Sequence, residues 1–291
     1  MKVLFIGGSG NISSACTDRA LGAGIEVTHL NRGNSPKTEG TQRIICNARD
    51  TEALKSALRG KHFDCVVQWI CFDPETAEGD LEVFTGIADQ YIFISTASAY
   101  KKPLGSLPIT EGTALANPFW EYSRKKIAAE EVFMQAYREK GFPVTIVRPS
   151  HTYNTGWIPT TFGSSDFTVP GRIRDGKRII VHGDGQSLWT LTHAQDFAKG
   201  FTGLLGNELA IGEAVHITSD QALSWDNIHR IIARALGRKA DIVHVTSETL
   251  AKEFLGYGPG WLGDKRYSLV FDNSKIKQLV PGFACTIPFH T

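Results

Sequence analysis

The run Ile94-Ser95-Thr96-Ala97-Ser98-Ala99-Tyr100 closes an apolar stretch, and Tyr122-Ser123-Arg124-Lys125-Lys126 follows in a segment with helical spacing. Together they offer a hydroxyl at Thr96, a phenol at Tyr122 and an ammonium at Lys126. Of the seven tyrosines only Tyr122 has a lysine four residues on, a separation that puts both side chains on one helical face. A free phenol ionises near pH 10, and an ammonium a few ångströms away favours the phenolate. Such a group can take the proton of an alcohol while Thr96 hydrogen-bonds the reacting oxygen. The competing reading makes Tyr122 and Lys126 a helix-surface pair and Thr96 a strand cap.

Proton abstraction from an alcohol needs something to receive the hydride, and the amino terminus offers a place for it. Lys2-Val3-Leu4-Phe5-Ile6 reads as a strand running into Gly7-Gly8-Ser9-Gly10-Asn11-Ile12-Ser13 and then a helix. This is the layout that holds a dinucleotide pyrophosphate. Gly7 and Gly10 allow close approach of backbone N–H groups to phosphate, and Asn11 and Ile12 open a helix whose positive dipole end meets that anion. The spacing is G-x-x-G-x-x-S, with Ser13 small enough for helix and strand to pack. At the end of the second strand stand Asn31 and Arg32. The neutral Asn31 does not repel a 2′-phosphate and Arg32 can pair with one, so NADP is favoured; NAD held through Asn31, with Arg32 solvated, is the alternative. Asn47 is placed to hydrogen-bond the adenine amino group, and Lys126 to hold the nicotinamide ribose.

The elements that must position these groups alternate in the rhythm of a parallel sheet. Strands are expected at Lys2 to Ile6, Glu26 to Leu30, Arg43 to Cys46, Asp64 to Trp69, Gln90 to Ser95 and Pro143 to Arg148. Helices are expected at Ser13 to Ala23, Asp50 to Arg59, Glu75 to Asp89 and Phe119 to Lys140. After Arg148 the pattern loosens, with a helix from Ala194 to Leu205, a strand from Ala214 to Ile217 and a helix from Trp225 to Leu236. The expected fold class is α/β, a doubly wound parallel sheet (Rossmann) with a smaller, mostly C-terminal substrate lobe. Residues 1–156 and 190–222 form the dinucleotide-binding domain, and 157–189 with 223–291 the substrate-binding lobe. Thr96 then sits at the carboxyl end of the fifth strand, where open α/β sheets bind ligands.

Composition narrows the partners. At 291 residues and 42% hydrophobic, the chain can bury one large core with a lobe on it. A net charge of +1 gives no footprint for nucleic acid or an anionic membrane. No stretch approaches the ~20 apolar residues of a membrane helix, and no leader pattern precedes the first strand. Five cysteines without a C-x-x-C pair read as thiols in a reducing, cytoplasmic setting. The nine histidines show no metal-ligand spacing, so no metal is expected. His193 reads as a cap or packing residue. His151, after the sixth strand, is open to both a structural role and a place in the substrate cleft.

The chain resembles the extended short-chain dehydrogenases/reductases of the NAD(P)-dependent sugar epimerase/dehydratase family. The resemblance runs through the Gly7/Gly10 loop, Ser95-Thr96, Pro108-Ile109-Thr110-Glu111, Tyr122 with Lys126, Val147-Arg148-Pro149, and Gly183-Asp184-Gly185 before the segment from His193 to Asp196. It implies Thr96, Tyr122 and Lys126 as catalytic and Gly7, Gly10, Asn31, Arg32 and Asn47 as cofactor-binding. It also implies that the Tyr122 helix and its predecessor could pair across a homodimer, and that a helix should follow Pro281-Gly282, where this chain instead stops at Thr291, as if trimmed.

Three departures refine the expectation. Leu188-Trp189-Thr190 stands where nucleotide-sugar enzymes of the family place an Arg for the diphosphate, and His151 where they have Asn. Ala97-Ser98 replaces the acid and base of its sugar dehydratases. The expected substrate is therefore a small carbohydrate-like alcohol lying against Trp189 and contacted by His151. The expected reaction is oxidation, reduction or epimerisation by hydride transfer. A non-catalytic dinucleotide-binding or RNA-binding protein of the same fold is the alternative.

Overall fold

The apolar runs of the first half do become strands, and they lie parallel in one sheet. The protein is described here from a computed structural model, over residues 1–34 and 36–290. In chain order the elements are β1 (Lys2–Ile6), α1 (Asn11–Gly22), β2 (Glu26–Asn31), β3 (Gln42–Ile45), α2 (Thr51–Ala57), β4 (Cys65–Gln68), α3 (Pro74–Phe84), β5 (Tyr91–Ile94), α4 (Glu121–Lys140) and β6 (Val144–Pro149). There follow β7 (His151–Tyr153), α5 (Thr168–Arg174), β8 (Ile179–His182), β9 (Leu188–His193), α6 (Ala194–Leu204), β10 (Ala214–Ile217), β11 (Ala222–Ser224), α7 (Trp225–Ala235), β12 (Ile242–Val245), α8 (Ser247–Glu253), the single turn α9 (Gly258–Gly260) and α10 (Ser274–Leu279).

The main sheet has the order β10-β6-β5-β4-β1-β2-β3. Strand alternation splits its side chains between two cores. Leu4, Ile6, Val66, Phe93 and Ile146 face Leu54, Phe84 and Phe133 of α2, α3 and α4. Val3, Phe5, Val67, Ile92 and Val147 face Cys16, Phe197, Phe201 and Ile276 of α1, α6 and α10. Each such side chain contributes about 1.5–3 kcal/mol on burial, which is why both faces must be covered by helices. A third core gathers Tyr100, Trp189, Trp225, Ile228, Leu269 and Phe271 from the later segments. Among the described residues, no helix is long and apolar enough to cross a membrane.

Boundaries moved for local reasons. α1 starts at Asn11, two residues before the expected Ser13, because Ser13 Oγ accepts from the Gly10 N–H at 2.8 Å and closes the first turn. The helix expected from Glu75 to Asp89 stops at Phe84. Thr85 is extended and Gly86 has φ +81°, which turns the chain so that Ala88 bridges Phe63 on the way into β5. The short strands β7, β8, β9, β11 and β12 arise where the sequence shows no clear alternation. Two of them, β7 and β11, pair on either side of β9.

Candidate active site

The carboxyl ends of β1, β2, β4, β5 and β6 open onto one side of the sheet, and most of the chemistry-bearing residues collect there. Gly7 and Gly8 have φ +102° and +100°, so the turn after β1 needs two consecutive glycines. Gly8, unnoticed in the motif, is the more constrained: a Cβ there would lie 2.7 Å from His29 Nε2. Its necessity shows only in three dimensions, because His29 comes from β2. Gly8→Ala is expected to lower the urea unfolding midpoint, with about 1–3 kcal/mol lost to backbone strain, and to weaken dinucleotide binding in titration. Unchanged values for both would show that the turn relaxes freely.

Beyond that turn α1 presents its amino end. Asn11 donates from Nδ2 to Thr152 Oγ1 at 3.1 Å, while its Oδ1 is buried with no hydrogen-bond partner among the described residues. Asn31, Arg32 and Asn47 line one hollow of about 580 Å³ together with Ser9, Asn34, Arg49, Ile70 and Phe72. Arg49 is a second guanidinium there that the strand-end reading did not include. The glycine turn without Cβ atoms, the helix amino end, the unpartnered Asn11 oxygen and this polar hollow fit a dinucleotide.

Phe72 of this hollow stands beside a residue of a second one. Its ring centroid lies 6.3 Å from that of Tyr122, which lines a cleft of about 360 Å³ with Ile12, Thr96, Ser98, Trp120 and His151. Tyr122 is in the first turn of α4. Burial raises its pKa, and a hydrogen bond with Thr96 offsets part of that rise. Thr96 itself is held by its own turn: its Oγ1 accepts from the Ser98 N–H at 3.2 Å and sits 3.1 Å from Ser98 Oγ, which is 2.7 Å from Ser123 Oγ. The seryl chain links the strand end to α4.

Lys126 lies one helical turn beyond Tyr122 and is 2% exposed. Its Nζ donates to the carbonyls of Cys71 and Ile94 at 2.6 and 2.7 Å and stands 6.0 Å from the Tyr122 ring centroid. Burial pulls its pKa down to about 8. The structure thus brings Thr96 and Tyr122 together and sets the ammonium behind the phenol.

The far wall of the cleft comes from the later segments. His151 Nε2 lies 2.9 Å from Ser164 Oγ, and burial, aided by the Lys265 charge, lowers its pKa to about 3, so it is a neutral hydrogen-bonding group. Trp189 is 5.2 Å from His151 ring to ring, but it is 2% exposed and its Nε1 donates to the Tyr267 carbonyl at 3.2 Å. Trp157, 43% exposed, and Trp120 supply more open indole surface to the same cleft. Asp264 also lines it, a residue the sequence did not single out because nothing local marks it. His193 caps α6, accepting at Nδ1 from the Gln195 N–H at 3.2 Å.

Comparison with known proteins adds to this geometry. The family model described as "NAD dependent epimerase/dehydratase family" matches residues 3–217. The 2'-dehydrokanamycin reductase of Streptomyces kanamyceticus is 28% identical over 290 residues, covering 97% of this chain and 80% of that one. The chloroplast stem-loop binding protein of 41 kDa b of Arabidopsis thaliana is 27% identical over 259 residues, covering 84% of this chain; the chain spans 65% of that protein. Among solved structures, Pal from Bacillus thuringiensis superposes with a TM-score of 0.80 at 22% identity, over 100% of this chain and 96% of that one. UDP-glucuronic acid 4-epimerase from Bacillus cereus does so with 0.78 at 19% identity, over 100% and 96%. These two likenesses show the shared fold.

Proposed function

The chain belongs to the NAD dependent epimerase/dehydratase family of enzymes, and from that premise we propose that it oxidises or reduces a secondary alcohol of a sugar or polyol-like small molecule by hydride transfer. The observation that carries this reading is the meeting of Tyr122 and Thr96 in a cleft whose Tyr122 ring lies 6.3 Å, centroid to centroid, from Phe72 of the dinucleotide hollow. When bound, a nicotinamide dinucleotide supplies the hydride acceptor or donor. Tyr122 takes the hydroxyl proton as the alcohol is oxidised and returns it on reduction. Thr96 orients the reacting oxygen, and the Lys126 charge favours the phenolate. The turn from Gly7 to Gly10 with Asn11 and Ile12 would hold the pyrophosphate, and Asn31, Arg32 and Asn47 the adenosine end. Residues 1–156 with 190–222 act as the cofactor-holding part, and 157–189 with 223–291 close the substrate side with His151 and Trp189, in a cytoplasmic setting.

Net redox chemistry is favoured over elimination, since Ala97-Ser98 follows Thr96 with no acid or base, and the relative covering 97% of this chain is by name a reductase. A diphosphate substrate would leave its charges uncompensated, because no Arg or Lys is among the described residues lining the cleft. Titration with the oxidised and reduced forms of NAD and NADP, then a screen of free sugars, sugar acids, kanamycin and nucleotide-sugars for cofactor turnover, tests the reading. Absence of dinucleotide binding, or turnover confined to nucleotide-sugars, would overturn it. The name of the stem-loop binding relative favours a second reading, non-catalytic nucleotide or RNA binding; stem-loop RNA retained by the protein with no turnover of any alcohol would select it.

Cofactor preference makes a sharper expectation. Arg32→Ala should weaken NADP by about 1–3 kcal/mol, the worth of a charge-assisted hydrogen bond, and leave NAD nearly unchanged. Arg49 in the same hollow leaves some residual preference. Equal losses for the two cofactors would show that Arg32 does not read the 2′-phosphate.

A further inference from the structure

Among the described residues lining the cleft beside Tyr122, Asp264 is the one that carries a full charge near neutral pH. It sits in the turn from Trp261 to Lys265, which the fold holds firmly. Trp261 Nε1 donates to the Thr161 carbonyl at 2.9 Å, and Asn117 Nδ2 donates to the Gly263 carbonyl at 2.8 Å. The carboxylate is therefore placed before any ligand arrives.

Its hydrogen-bonding needs are not met. Oδ1 is buried and has no hydrogen-bond partner among the described residues. Lys102 Nζ, buried 3.7 Å away, forms an ion pair with it at a separation too long for a hydrogen bond, and donates to the Tyr100 carbonyl at 3.2 Å. Lys265, the next residue, spends its ammonium on the Thr160 and Thr161 carbonyls, each at 2.9 Å. A buried carboxylate without hydrogen bonds is costly until a donor reaches it. Burial raises the group to about 6 against the opposing pull of the Lys102 and Lys265 charges, which leaves it mostly ionised at neutral pH.

The rest of the lining points the same way. Trp120, Tyr122 and Trp157 offer aromatic faces, which attract a cation, and no guanidinium or ammonium is among the described residues lining the cleft. Resting on the hydride-transfer reading of this cleft, we infer that the substrate carries an ammonium group received by Asp264, which makes it an amino sugar or an aminocyclitol alcohol. The same contact serves the chemistry. The Asp264 charge opposes ionisation of Tyr122, so a substrate ammonium that neutralises it also eases formation of the phenolate. Recognition of the amine and readiness of the base are thereby coupled.

The test is a comparison of amines with their uncharged N-acetyl forms, bound to the protein carrying reduced dinucleotide and followed by calorimetry and by the fluorescence of the cleft tryptophans. The pairs are D-glucosamine with N-acetyl-D-glucosamine, and kanamycin with per-N-acetylkanamycin. In at least one pair the amine should bind about tenfold or more tightly than its acetyl form. Asp264→Asn should erase that ratio while dinucleotide binding stays as in the native protein. Equal binding of both members of each pair, no binding of either amine, or a ratio that survives Asp264→Asn would overturn the inference. Because the pairs are first compared on the native protein, a poorly folding variant does not blunt the result. Tyr122-dependent turnover of a neutral or anionic alcohol would sink this inference and leave the hydride-transfer reading standing, whereas loss of dinucleotide binding would remove that reading itself.

Discussion

Replacing Tyr122 by Phe is expected to lower kcat by about 10²- to 10⁴-fold, the usual worth of a positioned proton-transfer group, while dinucleotide affinity stays unchanged. The phenol oxygen is the atom removed, and the ring contacts with Trp120 and Phe72, at 5.2 and 6.3 Å between centroids, are kept. Single-turnover hydride transfer, measured beside cofactor titration, separates the two effects. A variant that binds cofactor and retains native turnover would remove Tyr122 from the chemistry.

The pH profile of the native enzyme follows from the same groups. Tyr122 must be ionised to act as base, so oxidation rises with pH on its ascending limb. Lys126 must stay charged to favour the phenolate, and burial brings it down to about 8. As pH rises through that value the ammonium is lost, so kcat/KM for alcohol oxidation should fall on a descending limb near there. A profile still climbing well beyond it would show that Lys126 keeps its proton or plays no part.

The second large effect is on stability. Glu130, on α4 one turn beyond Lys126, accepts from Ser95 Oγ and from Arg148 Nε and Nη2, the latter two at 3.0 and 2.5 Å. The side chains of Arg148 and Glu130 are 5% and 4% exposed. From Arg148 the network continues to the Tyr100 hydroxyl at 3.3 Å, on to His216 Nδ1 at 3.0 Å, and through the His216 N–H to Glu111 at 3.2 Å. Glu130→Gln leaves the guanidinium buried with its charge unpaired, and removing one partner of a buried pair costs about 3–5 kcal/mol. Urea unfolding should show a free energy lowered by that amount, read as a lower midpoint at unchanged slope. Glu130→Leu combined with Arg148→Met removes both charges and should lose less than the single variant; a greater loss in the double variant would refute the unpaired-charge account. Ser95 precedes Thr96, so the single variant should also lower turnover through a displaced hydroxyl.

Where the strands of the main sheet lie was legible from the chain because each is a short apolar run bounded by turn residues, and a parallel strand must be apolar on both faces. Lys2–Ile6 and Ala214–Ile217 needed no correction, and the other five expected strands shifted by a single residue at their ends. The glycine turn, Thr96 and the Tyr122–Lys126 pair were legible for the same kind of reason, since their spacing is local and helical or strand geometry converts it directly into position. The later segments resisted. β7 and β9 pair across more than thirty residues of intervening chain, and β8 pairs with β12 across a still longer separation, so no periodicity within either strand announces its partner.

Local spacing therefore determined the sheet, the glycine turn after β1 and the placing of Tyr122 with Lys126 on one helix. Tertiary structure alone decided that Gly8 must lack a side chain against His29, that Glu130 must serve Arg148, that Lys126 turns its ammonium onto two carbonyls, and that Asp264 faces the cleft. Each of these depends on a partner many residues away. What an isolated residue reveals is its chemistry, whereas burial, unmet hydrogen bonds and the field of neighbouring charges exist only once the chain has folded around it.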